Sequence, residues 1–166
     1  MSEERHELEG RTTEDRPSTL ILGVGNILLS DEGIGVRVIE AMKDRDLPPD
    51  VELLDGGTAS LELLNIMANR DKVIVIDAVE GGGEPGTIYR FTPDDIKYQS
   101  MTFTSLHQIS LLETLTDAKY LGIAPKTIVI LGIEPKELGL GLDITPEVAA
   151  VIPRVVELVM AEIGTR

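Results

Sequence analysis

Two patterns of apolar residues alternate along the chain. Short segments made up mainly of apolar residues, as in strands buried on both faces, occupy positions 20–25, 51–54, 73–76 and 126–131. Apolar residues at helical spacing follow, in segments 32–42, 61–68, 105–115 and 145–163. This alternation predicts one α/β domain, a three-layer α/β/α sandwich with a mostly parallel, mixed central sheet covered by helices on both faces.

Two segments depart from that alternation. Residues 87–91 alternate between apolar and polar, as a half-exposed strand does, and they follow the turn residues Gly81–Gly83 and Pro85-Gly86. We therefore expect this strand to pair closely with the preceding strand and to make the sheet mixed. Residues 1–18 carry mixed charge without apolar periodicity, which predicts a disordered polar tail before an α/β domain at 19–166.

Polar residues with chemical potential stand at the ends of the predicted strands. Glu32 follows the turn after the first strand, Asp77 ends the third, and His107 begins a helix on a later crossover. In open α/β sheets ligands bind beyond the carboxyl ends of the strands, so these three side chains are expected to face one cleft. Two carboxylates and an imidazole would form a three-point site for nickel or zinc with positions open to water or substrate.

Each of these residues also has an ordinary structural interpretation. Ser30, Asp31 and Glu32 precede a helix, where they can cap free amides and stabilise the helix dipole. Asp77 can bond loop amides at its strand end, and an isolated histidine such as His107 is more often a surface or helix-terminus residue than a metal ligand. Asp55, which ends the second strand, either orients His107 within the same cleft or holds the turn that follows it through its own side chain.

Several reaction classes are excluded by missing motifs. Gly23-Val24-Gly25-Asn26-Ile27-Leu28 begins like a dinucleotide-binding turn, but Leu28 stands where the third glycine is needed for close helix packing. The chain lacks a phosphate-binding G-x-x-x-x-G-K-[ST] loop and a G-x-S-x-G serine elbow. It contains no cysteine, so a metal site must use His, Asp and Glu.

The net charge and the composition limit the classes of molecule that the protein can bind. The 166 residues carry a net charge of −14 with 3% aromatic residues, which argues against binding to nucleic acid or to anionic membranes. The N-terminus is polar and acidic, and no apolar stretch approaches the roughly 18 residues of a membrane span. We expect a cytoplasmic protein with no nucleic-acid or membrane partner.

The uninterrupted stretch from Gly23 to Gly35, GVGNILLSDEGIG, resembles the N-terminal signature of the hydrogenase maturation endopeptidases. Asp55-Gly56-Gly57-Thr58, Asp77-Ala78, Pro85-Gly86 and Ser105-Leu106-His107-Gln108 are similar to later motifs of that family, in the same order. The resemblance covers about residues 20–163, and only the N-terminal tail stands outside it.

The resemblance implies an endopeptidase that removes the C-terminal extension of a nickel-iron hydrogenase large-subunit precursor after nickel insertion. Glu32, Asp77 and His107 match the family's nickel-binding triad, and nickel would arrive inside the substrate. We include Asp55 with these three as a candidate catalytic residue and expect a monomer. Two alternatives remain at this point: a non-catalytic nickel-binding maturation chaperone, and a nucleotide- or flavin-binding α/β domain.

Overall fold

The computed structural model describes residues 16–58, 62–98 and 106–164, and within them all side chains except those of 96–98 and 106–110. The strands are β1 Thr19–Val24, β2 Val51–Gly57, β3 Lys72–Ala78, β4 Ile88–Phe91 and β5 Thr127–Ile133. The helices are α1 Ile34–Met42, α2 Leu63–Met67, α3 Pro93–Tyr98, α4 Leu106–Tyr120, α5 Pro146–Ala149 and α6 Ile152–Gly164. A 3₁₀ turn, Ser30–Gly33, leads into α1.

The strands form one sheet in the order β2-β1-β3-β5-β4. β1 is parallel to β2 and β3, and β3 is parallel to β5, whereas β4 is antiparallel to β5. The predicted mostly parallel, mixed sheet is confirmed, but the predicted pairing of β4 with the preceding strand is wrong. β5 is buried on both faces and takes the position beside β3, while the half-exposed β4 forms the edge.

Alternating side chains of the sheet enter two apolar cores, as the strand repeat of two residues requires. The α1 face packs against α1 and α6 and includes Ile21, Ile74, Ile76 and Leu131. The α4 face packs against α2 and α4 and includes Leu20, Leu22, Val75 and Ile130. Helices therefore cover both faces, as predicted.

The helices in the structure differ from the predicted ones in two details. The segment predicted as one helix from Thr145 to Ile163 is two helices, with a break at Ala150 and Val151. Pro153 lies in the first turn of α6 and lacks the N–H that would continue the ladder of α5. The patterns above also omit α3, although Thr92-Pro93 begins it and Asp95 accepts a hydrogen bond from the Thr92 amide at 2.8 Å.

An ion-pair group with two buried members lies where β3 begins, at the end of this strand opposite Asp77. Lys72 Nζ lies 3.0 Å from Glu162 Oε2 in α6, and Arg90 also pairs with Glu162. Lys72 and Glu162 are both buried. This group fixes α6 to the beginning of β3 and to β4.

Only the end of the predicted tail can be located, since residues 1–15 are outside the described part of the chain. The carbonyl oxygen of Ser18 accepts hydrogen bonds from the amides of Asp71 (2.8 Å) and Lys72 (3.1 Å). Hydrogen bonding to the domain thus begins before β1. Across the described ranges, no helix combines the length and apolar character needed to span a bilayer.

Candidate active site

The direction in which the chain winds through the sheet reverses between β1 and β3. The chain crosses from β1 through α1 to β2 on one side, then returns through α2 to β3 on the other side of β1. Such a reversal opens a crevice at the carboxyl ends of the two central strands, where α/β proteins bind their ligands. Glu32 follows β1 and Asp77 is the penultimate residue of β3, so both residues lie beside this crevice.

Close backbone contacts fix the turn that carries Glu32. A Cβ on Gly35 would lie 2.3 Å from the carbonyl oxygen of Ile76, the residue before Asp77. A Cβ on Gly25 would lie 2.0 Å from the carbonyl oxygen of Glu32, and Gly25 has a φ of +141° that glycine alone adopts readily. These glycines let the turn and the end of β3 approach more closely than side chains would permit.

Asp77 belongs to the α4 face of the sheet. Ile76 and Ala78 on either side of it enter the α1-face core, so the alternation of the strand directs Asp77 towards α2 and α4. The residue is 3% exposed, which is an unusual environment for a carboxylate without a structural or chemical role.

His107 is the second residue of α4, whose later residues Leu111 and Leu115 pack on that same face. The predicted helix start is confirmed, and its position puts the first turn of α4 on the side of the sheet to which Asp77 belongs. The His107 side chain lies outside the described part of the structure, as does Ser105. Within the described side chains, no group of three His, Asp or Glu residues is arranged to hold a metal. The three-residue site therefore stays a prediction.

Asp55 lies on the other side of β1 from Asp77. It is exposed in β2, paired in register with Gly23, and its Oδ1 accepts a hydrogen bond from the Gly57 amide at 2.9 Å. The turn-holding interpretation of this side chain is thus observed. A role in orienting His107 stays a prediction.

Asp31 has a different role from the helix cap that the sequence predicts. Its carboxylate is fully buried and accepts hydrogen bonds from the amides of Lys136 (2.9 Å), Glu137 (2.9 Å) and Thr145 (2.8 Å) and from the Thr145 hydroxyl. Burial alone would raise the pKa of Asp31, but these four donors outweigh it and lower the pKa below its ordinary value. The carboxylate ties the Glu32 turn to the segment after β5.

Ser30 is also not a helix cap. Its hydroxyl donates a hydrogen bond to the carbonyl oxygen of Gly139 at 2.8 Å, and its backbone adopts a φ of +51°. The cap prediction is wrong for Ser30 and Asp31 because both side chains bond to residues more than 100 positions away rather than to the first turn of α1.

Glu134 is a site-forming residue that the sequence reasoning did not find. It follows the apolar strand β5 and is buried, and its carboxylate accepts hydrogen bonds from the amides of Gly81 (2.7 Å) and Gly82 (3.1 Å). It therefore shapes the glycine turn after β3, next to Asp77. The available signal was the pattern that marked Asp77, a carboxylate directly after an all-apolar strand.

A parallel sheet with two carboxylates at its winding reversal is an arrangement typical of α/β enzymes. The family model described as hydrogenase maturation protease matches residues 36–162. The hydrogenase 2 maturation protease of Escherichia coli K12 is 43% identical over 144 residues, which make up 86% of this chain and 88% of that protein. The HupD hydrogenase expression/formation protein of Rhizobium leguminosarum is 40% identical over 85% of this chain and 71% of its own length.

Comparison with solved structures indicates the same family. The hydrogenase maturating endopeptidase HybD from E. coli superposes with a TM-score of 0.78 at 41% identity, covering 87% of this chain and 90% of HybD. The chain belongs to the hydrogenase maturation protease family and is a peptide hydrolase. The endopeptidase prediction is confirmed, and neither a non-catalytic chaperone nor a nucleotide- or flavin-binding domain fits this membership.

Proposed function

We propose that this endopeptidase removes the C-terminal extension of a nickel-iron hydrogenase large-subunit precursor once nickel has been inserted, and that it acts as a cytoplasmic monomer. The observation that carries the proposal is the pair of carboxylates, Glu32 and Asp77, at the winding reversal of a sheet of this family. The first turn of α4, with His107, lies on the face to which Asp77 belongs.

In this proposal nickel is part of the substrate. Nickel held by precursor thiolates accepts further oxygen and nitrogen ligands, and Glu32, Asp77 and His107 supply them. Binding the metal places the neighbouring peptide bond in the crevice. The attack of water on that bond then takes place within one bound complex, which makes it effectively intramolecular. Metal loading is then the condition for cleavage, because an empty precursor offers the three side chains nothing to bind.

The hydrolysis itself adds water across one peptide bond. Nickel polarises the scissile carbonyl or activates the water, and a crevice carboxylate assists transfer of a proton to the departing amine. The carbonyl carbon gains a hydroxyl and the C–N bond breaks. Glu32 is partly buried and Asp77 is almost fully buried, so both carboxylates act in an environment of reduced water access.

The test is incubation of the protein with purified precursor, with and without nickel, read by the intact mass of the large subunit. Wild-type protein should shorten only the nickel-loaded precursor, whereas Glu32→Ala and His107→Ala should leave it uncut with an unchanged far-ultraviolet circular dichroism spectrum. Purified protein alone should hold far less than one metal ion per chain. Wild-type rates in both variants would refute the assignment of the triad, and one tightly held ion per chain would indicate an ordinary metallohydrolase.

A further inference from the structure

Large apolar side chains are exposed at two places in the described part of the molecule. Five of them lie in the segments 27–28 and 138–142: Ile27 (37% exposed), Leu28 (55%), Leu138 (39%), Leu140 (90%) and Leu142 (62%). The other two are Tyr120, the last residue of α4, and Leu121, which follows it; they lie near the connection that enters β3, at the opposite end of the strands. We call the first set of five the leucine ledge.

Hydrogen bonds between main chains hold the two segments of the ledge together. The amide of Gly141 donates to the carbonyl oxygen of Leu28, and the amide of Ser30 donates to the carbonyl oxygen of Gly141, each at 2.9 Å. Gly141 stands between Leu140 and Leu142 in the chain, so these side chains lie beside Leu28. Leu28, Leu140 and Leu142 therefore form an apolar surface built from two distant parts of the sequence, with Ile27 and Leu138 close to them in the chain.

The ledge is continuous with the candidate active site. The amide of Glu32 donates to the carbonyl oxygen of Leu29 at 3.1 Å, within the same turn that carries Leu28. Asp31, between them, anchors this turn to Lys136 and Glu137 at the start of the second ledge segment. A polypeptide bound at Glu32 would therefore have the ledge close beside it.

We propose that the leucine ledge binds the hydrogenase precursor through an apolar segment of the precursor next to the scissile bond; this rests on the function proposed above. Burying exposed leucines on an apolar partner removes them from water, and such central apolar contacts supply much of the affinity of an interface. The acidic side chains of Glu137 and Asp143 are exposed beside the ledge. Two basic residues, Lys136 and Arg37, also lie beside the ledge, but each forms an ion pair with a glutamate, Glu147 and Glu40. The net charge around the ledge is therefore negative, which favours a precursor segment whose apolar residues are flanked by Lys or Arg.

The test compares KM and kcat for nickel-loaded precursor among the wild type, the double variant Leu140→Ser/Leu142→Ser, and Leu121→Ser. Leu121 is a matched control, since it is 58% exposed against 62% for Leu142 but lies at the opposite end of the strands. The double variant should raise KM about tenfold or more with little change in kcat, because it removes apolar contacts but none of the proposed nickel ligands. Leu121→Ser should leave both constants unchanged.

The outcomes separate the two proposals. Failure of the wild type to shorten nickel-loaded precursor would overturn the proposed function and the ledge with it. Normal cleavage by the wild type, together with a wild-type KM in the double variant, would overturn the ledge alone. Sedimentation of the wild type and of the double variant tests whether the ledge instead binds a second copy of this chain. A wild-type dimer that dissociates in the double variant would overturn the proposal that the ledge binds the precursor.

Discussion

Replacing Asp31 with asparagine tests how strongly the Glu32 turn is held to the segment after β5. One carboxylate oxygen accepts from the amides of Lys136 and Glu137, and the other from the amide of Thr145, with the Thr145 hydroxyl in reach of both. Asparagine has about the same shape but one acceptor oxygen. The NH₂ group of asparagine would therefore point at backbone N–H groups, either those of Lys136 and Glu137 or that of Thr145, which would lose their acceptor.

The expected cost follows from that loss. Hydrogen bonds to a charged acceptor contribute about 1.5–3 kcal/mol each, and a buried donor without an acceptor costs about 1–3 kcal/mol. We expect Asp31→Asn to lower the free energy of unfolding by about 3 kcal/mol at pH 7. For a domain of this size the melting temperature should fall by roughly 6–12 °C.

The lowered pKa of Asp31 also predicts how the stability difference between wild type and variant changes with pH. Because the folded pKa of Asp31 is lowered, its stabilising contribution is complete above the ordinary aspartate pKa of about 4 and is lost as pH falls through the lower folded value. The asparagine variant has no such titration. The difference in unfolding free energy between wild type and variant should therefore shrink below about pH 4.

Urea unfolding followed by far-ultraviolet circular dichroism measures both effects, since the chain contains no Trp for fluorescence. Asp143→Asn is the control, because it removes an exposed carboxylate from the same segment and should change stability by less than about 0.5 kcal/mol. A loss below about 1 kcal/mol in Asp31→Asn, or a difference that does not vary with pH, would refute the reasoning.

Two further predictions concern the frame around the site. Gly35→Ala places a Cβ 2.3 Å from the Ile76 carbonyl oxygen and should destabilise by about 2–3 kcal/mol in thermal unfolding, whereas Gly139→Ala, with no atom within 4 Å of its Cβ, should be neutral; equal melting temperatures would contradict the close packing. Glu162→Gln leaves the buried Lys72 without its carboxylate and should cost about 2–4 kcal/mol with unchanged kcat. The Arg90 hydrogen bond lowers the pKa of Glu162, so this loss should also diminish in acid, and a large fall in kcat would contradict its purely structural role.

The sequence predicts those parts of the fold that depend on local patterns. β1, β3 and β5 each contain an uninterrupted apolar run, which is the usual pattern of a strand buried on both faces. The partner of β4 is not predictable in this way, because its pairing depends on which distant strand takes the position beside β3. Asp77 is a candidate because a carboxylate directly after such a run stands out, and Glu134 follows β5 in the same way.

The role of Asp31 shows why local interpretation fails near the site. An acidic residue before a helix has the pattern of a cap, yet Lys136, which donates to it, lies 105 residues further along the chain. The alternation of Gly and Leu from Gly139 to Leu142 likewise gives no hint that these leucines are exposed beside Glu32. Both features arise from tertiary contacts, which single-sequence patterns do not contain.

The reversal of winding at β1 and β3 also governs how the molecule tolerates change in length. Both strands lie in the middle of the sheet, and their separation is set by one ladder of backbone hydrogen bonds, about 4.8 Å across. Residues inserted into the outer connections displace only the periphery. The spacing between the Glu32 turn and Asp77 is thereby insulated from growth or trimming of the loops around it.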